Sequence, residues 1–135
     1  MDAFAMDFTE GDLARARHAA YRLADEHGLR GERAADLVIV VNEAVANVLL
    51  HGGGHGRLRL WREGVSLLCE VRDSGPGLPS HYLAKTDPKT DPKTDPPVPA
   101  TRGHWGIWMM RRLADRVAIT TGPDGTAVRI AIKIP

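Results

Sequence analysis

The sequence predicts a two-layer α+β sandwich, a mostly antiparallel mixed sheet with helices on one face. Three observations carry this. The elements read in the order strand, two helices, strand pair, long loop, helix, strand pair. Both strand pairs close through short turns, at Gly64 and at GPDG (residues 122–125), which makes them hairpins and so antiparallel. At 135 residues and 43% hydrophobic, the chain is the size of one domain with a real core.

Residues 3–8 (AFAMDF) alternate only in part and are read as a short first strand. Residues 9–27 read as an amphipathic helix. Leu13, Ala16, Ala20, Leu23 and Ala24 fall at helical spacing, Thr9 or Asp12 is the candidate cap, and Gly28 ends the helix. A second helix is expected from Glu32 to Leu50, broken by the glycines of HGGGHG. Strands follow at Arg57–Glu63 and Val65–Arg72, then the loop DSGPGLP. Ile107–Asp115 reads as a third helix, and Arg116–Thr121 and Gly125–Ile134 as the last strands. Residues 85–96 are KTDP three times over and hold three of the four lysines. So polar and Pro-rich a segment cannot pack a core and is expected to be a mobile loop.

Charge and composition exclude several classes. Lys plus Arg is 18 and Asp plus Glu is 17, a net charge of +1, which does not make the basic field of a dedicated nucleic-acid binder. No apolar run is read as reaching the roughly 18 residues of a membrane span. The acidic start MDAFAMDFTEGD does not read as a signal peptide. The lone Cys69 leaves no intrachain disulfide to form, which fits a cytoplasmic setting.

Candidate chemistry begins in LVIVVNEAVANVLL, residues 37–50. Eleven of its fourteen residues are apolar, so the helix should be buried, yet it carries Asn42, Glu43 and Asn47. Glu43 and Asn47 are four apart and share a stripe, with His51 one turn on. A carboxylate there needs a partner or a ligand. In VSLLCEVRD, Val65, Leu67, Cys69 and Val71 share one strand face, and Asp73 falls in the same phase, pointing between sheet and helices. Gly75 and Gly77 follow and permit close approach of a flat, nitrogen-rich ligand such as a purine. Thr126 points inward by the same alternation, with Val128, Ile130 and Ile132. Trp105 and Trp108 read as packing residues. His51 and His55 lack a third metal ligand nearby, and HGGGHG lacks the ending of a phosphate-binding P-loop.

Taken in order, four segments resemble the boxes of the Bergerat-fold (GHKL) ATPases, and more narrowly the bacterial anti-sigma-factor serine/threonine kinases. They are NEAVANVLLHG (residues 42–52), DSGPGLP (73–79), GIWMMRRLADRVAI (106–119) and GTAVRI (125–130). The resemblance implies a single domain over 1–135 with a lid loop at about 80–102 that contains the KTDP repeats. It implies ATP and Mg²⁺ as cofactors. It assigns Glu43 as general base, Asn47 as Mg²⁺ ligand and Asp73 as acceptor for the adenine amino group. Gly75 and Gly77 would shape the pocket. Gly103, Gly106 and Ile107 would approach the phosphates at a helix N-terminus, and Thr126 would help hold the base. The implied partners are a STAS-type anti-anti-sigma protein, phosphorylated on serine, and a sequestered sigma factor; pairing of two copies is a further expectation. The glycines before the third helix stand three apart, at Gly103 and Gly106, where the family commonly has them two apart, and Trp105 beside them would narrow the site. That departure supports the alternative of a non-catalytic module that only sequesters its partner.

Overall fold

The computed structural model describes residues 3–78 and 102–135, with side chains in the second stretch from Gly106 onward. The KTDP repeats, most of the expected lid and the Trp105 side chain lie outside the described residues.

The elements are β1 (Phe4–Thr9), α1 (Leu13–Glu26), α2 (Gly31–His51), β2 (His55–Glu63), β3 (Ser66–Asp73), α3 (Arg102–Leu113), β4 (Arg116–Gly122) and β5 (Gly125–Lys133). The sheet order is β1-β2-β3-β5-β4. All four pairings are antiparallel. The expectation of a mixed sheet is corrected on this point: each neighbouring pair among the described strands runs in opposite directions. β3 and β4 run parallel to one another, but β5 separates them, and α3 makes the crossover.

Alternation sorts the strands. Leu58, Leu60, Leu67, Cys69, Val71, Val128, Ile130 and Ile132 are buried on one face. The helices cover that face, α2 packing between α1 and α3. Leu37, Val40, Val41, Ala44 and Val45 of α2 join the same core cluster. By length and composition α2 is apolar enough to cross a membrane, with mean hydropathy 1.5 over an 18-residue window. Here it is the central helix of the core.

Three local differences from expectation stand out. Val65 does not join the inner face of β3; it sits in the turn and is 66% exposed. At the start of α1, Asp12 occupies the cap position but makes no forward cap bond. Its carboxylate reaches back to accept the Thr9 N–H at 2.8 Å, a bond that holds its pKa below the usual range. The third difference is functional: α3 begins five residues earlier than periodicity indicates, so Gly103 and Gly106 lie inside the helix. Glycine disfavours helix interiors by propensity alone, and packing against α2 outweighs that. The far end of α3 is tied by Arg33, which donates to the Leu113 carbonyl at 2.9 Å and to Asp115 at 2.6 Å.

Candidate functional site

Two groups of the sequence-predicted residues are assembled. The first lies between α2 and α3. Glu43 and Asn47 project from successive turns of α2. Asn47 is 6% exposed, and among the described residues its Nδ2 has no hydrogen-bond partner. Gly106 of α3 lies directly against this pair. A Cβ placed there would fall 2.9 Å from Glu43 Oε2 and 3.4 Å from Asn47 Oδ1. The bare Cα leaves the Glu43 carboxylate this position between the two helices, which a Cβ would displace.

The second group forms where β3 ends against the β4–β5 hairpin. Asp73 Oδ1 accepts the Gly75 N–H at 2.9 Å and the Thr126 N–H at 3.3 Å. Its Oδ2 faces Gly52, at the C-terminal cap of α2; a Cβ on Gly52 would lie 2.5 Å from that oxygen. Gly75 packs on Gly52 so closely that a Cβ would meet its carbonyl carbon at 2.5 Å. Gly77 turns the chain at φ +91°. Thr126 is 7% exposed, and its hydroxyl lies 2.7 Å from that of Thr121, which also accepts the Leu78 N–H at 2.8 Å.

Gly52 links the groups: it follows Asn47 by five residues, about 7.5 Å of helical rise. Asp73 also lines two hollows, of about 330 and 590 Å³, beside the β4–β5 turn and beside β1. Grooves of about 570 Å³ between α1 and β1, and about 600 Å³ between the end of α1 and the start of α2, share no residue with either group.

The remaining expected residues sit differently. Ile107 is fully buried in the hydrophobic core and anchors α3 there. Gly103 lies in the first turn of α3, where backbone N–H groups lack helical acceptors. Gly106 lies a turn further in, so what it contributes to the site is its missing side chain, not a helix-terminal N–H. Gly52 and Thr121 were not singled out by the sequence. A signal for Thr121 existed: the turn GPDG sets Thr121 directly opposite Thr126. Gly52 read only as the end of NEAVANVLLHG and a helix breaker, because its need for a bare Cα comes from Asp73, 21 positions away.

The residues fit a magnesium–nucleotide group. Asn47 Oδ1 and the Glu43 carboxylate are hard oxygen donors of the kind Mg²⁺ takes, and the buried Asn47 Nδ2, without a partner among the described residues, suits a phosphate oxygen. Among the described residues no three His, Cys, Asp or Glu side chains come together to hold a metal alone. An ion at Asn47 would therefore draw most of its ligands from water and phosphate, which is how Mg²⁺ is commonly held in nucleotide sites.

This is the architecture of a kinase-like ATPase domain. The chain belongs to the histidine kinase-like ATPase domain family, whose sequence profile matches residues 6–132. Comparison with curated proteins returns no match. Among solved structures, it is similar to a chain of the SiaB–SiaC complex from Pseudomonas aeruginosa, with a TM-score of 0.69 and 11% identity over 98% of this chain and 89% of that one. It is also similar to the histidine kinase domain of the blue-light activated kinase of Erythrobacter litoralis EL346 (TM-score 0.57, 21% identity, 89% of this chain and 62% of that one). The catalytic domain of histidine kinase ThkA gives a TM-score of 0.53 at 15% identity, over 98% and 96% of the two chains. At these identities the likeness establishes the fold.

Proposed function

We propose that the chain binds Mg-ATP and phosphorylates a serine or threonine of a STAS-type anti-anti-sigma partner, and that it sequesters a sigma factor in the alternative complex. The observation that carries this is the close approach of Gly106 to the Glu43–Asn47 pair, with the Asn47 Nδ2 buried and without a partner among the described residues. A stand-alone adenine-nucleotide module would not need a carboxylate in that position; phosphoryl transfer to a hydroxyl does.

Asn47 would hold Mg²⁺ through its carboxamide oxygen, and the ion would supply charge neutralisation at the phosphates. Glu43 accepts the proton of the partner's hydroxyl as that oxygen bonds to the γ-phosphorus and ADP departs with the electrons of the broken bond. Asp73 Oδ2 accepts from the adenine amino group, while Oδ1 stays committed to the Gly75 and Thr126 N–H groups. Thr126 and Thr121 brace that end, and Gly75 and Gly77 keep it free of side chains. The first turn of α3, at Gly103, offers N–H groups to the phosphates. The likeness to a chain solved as a complex with a second protein supports a partner-dependent role.

A second reading has its own observation. Gly106 lies inside α3 and not at its start, which leaves fewer backbone donors for phosphates. On that reading the domain sequesters its partner without transfer. Calorimetric titration with ATP, with and without Mg²⁺, separates the two. Magnesium-dependent binding supports the kinase, and absence of binding at millimolar ATP supports the sequestering module.

A further inference from the structure

The face of the sheet turned away from the helices carries a cluster that the nucleotide site does not use. Glu70 points to this face and is still only 5% exposed, the one buried charged side chain among the described residues. What buries it is arginine. Arg129 donates to it at 2.8 Å and Arg72 at 3.0 Å, and Arg59 lies 3.6 Å away. Burial alone would raise the Glu70 pKa, but the hydrogen bonds from Arg129 and Arg72 overcome this and hold it below its ordinary value. Trp61 fixes two of the same heads: Arg59 stands 4.9 Å and Arg129 5.4 Å from its ring centroid.

One carboxylate cannot balance three guanidiniums. In the next row Arg57 stands directly opposite Arg72, a like-charge pair that costs stability in a sheet. Among the described residues only Asp7, on a highly exposed side chain, answers Arg57. This face is thus distinctly positive on a chain whose total charge is +1. Beside the arginines, Trp61, Leu68 and Ala131 form an apolar row across β2, β3 and β5.

We propose that this open face docks an acidic protein segment, one presenting clustered carboxylates beside an apolar side chain. The guanidiniums are already held in place by Glu70 and Trp61, so little freedom is lost when they bind carboxylates in forked pairs. The apolar row supplies the dry centre that such interfaces need. A second copy is disfavoured as the occupant, since face-to-face pairing would oppose two positive patches. A nucleic acid is disfavoured because Trp61 is the only aromatic residue in these rows and two arginines already engage its ring, leaving no run of stacking surfaces. The surface lies across the sheet from Asn47 and Glu43, so its test is independent of nucleotide.

The experiment uses the full chain without nucleotide and a short fluorescein-labelled peptide of Glu and Leu, read by anisotropy at low salt. Arg59→Glu with Arg129→Glu is expected to weaken binding at least about tenfold. Arg15→Glu with Arg22→Glu, the same charge change on α1, should alter it by less than about threefold. If circular dichroism shows that the first pair does not fold, Arg57→Gln with Arg72→Gln takes its place, since both side chains are more than half exposed. Equal losses from the sheet and α1 variants would overturn the proposal. So would the absence of peptide binding to the parent, or tighter binding of oligothymidylate than of the peptide.

Discussion

Gly106 holds its bare Cα against the carboxylate of Glu43, so that a Cβ would fall 2.9 Å from Oε2. The atom in the way is the tip of a flexible side chain, which can move. Gly106→Ala should therefore fold, and its better helix propensity adds up to about 1 kcal/mol of stability. Displacing Glu43 should nonetheless slow phosphoryl transfer on the order of 100-fold. A thermal melt and a transfer assay on the same variant check this. Unchanged transfer would break the link between Gly106 and the reaction.

Glu43→Ala is expected to keep ATP affinity within a few-fold and to lower transfer by about 10²- to 10⁴-fold, the usual range for loss of a general base. Single-turnover kinetics with a phosphorylatable partner, alongside ATP calorimetry, separate the two effects. A variant that transfers at the parental rate removes Glu43 from the chemistry.

Asp73→Asn retains an acceptor for the Gly75 and Thr126 N–H groups, so the hairpin contact should survive. The variant should weaken ATP by about tenfold or more, consistent with loss of a charged hydrogen bond worth about 1.5–3 kcal/mol. GTP, which has no amino group at that ring position, should be little affected. Equal losses for both nucleotides would contradict the adenine assignment.

Glu70 links stability to pH. Its folded pKa lies below the ordinary value of 4.5, so its contribution is fully present above that value and fades as pH falls through the lower, folded one. Glu70→Gln should be destabilised by about 1–3 kcal/mol at neutral pH, because three arginines lose their anion. Urea unfolding at successive pH values should show the gap closing below about pH 4. A gap that stays constant into acid would mean the ion pairs contribute nothing.

Cys69 is fully buried, and burial, with the neighbouring Glu70 charge, pushes its thiol well above the ordinary cysteine range. Native protein should resist an aromatic disulfide reagent at pH 8 and react at once in denaturant. Rapid labelling of the native state would require the β3 region to open.

Much of the architecture was legible in the sequence. Strand alternation correctly sent Leu67, Cys69 and Val71 inward and placed Asp73 and Thr126 in the same phase, and they meet in register. Helical spacing placed Glu43 and Asn47 on one stripe. The start of α3 was not legible, because Gly103 and Gly106 read locally as breakers.

The residues that can do chemistry, and the order in which the chain presents them, follow from sequence alone. Periodicity is a local property, and three or four residues suffice to state it. What tertiary structure decided is which glycines matter and why. Gly106 matters because the Glu43 carboxylate lies against it, and Gly52 because Asp73 reaches it from β3. The arginine cover over Glu70 is of the same kind, since three strands must be paired in one register before its charges meet. Such contacts join positions far apart in the chain, and excluded volume and charge act between them only once the fold has brought them together.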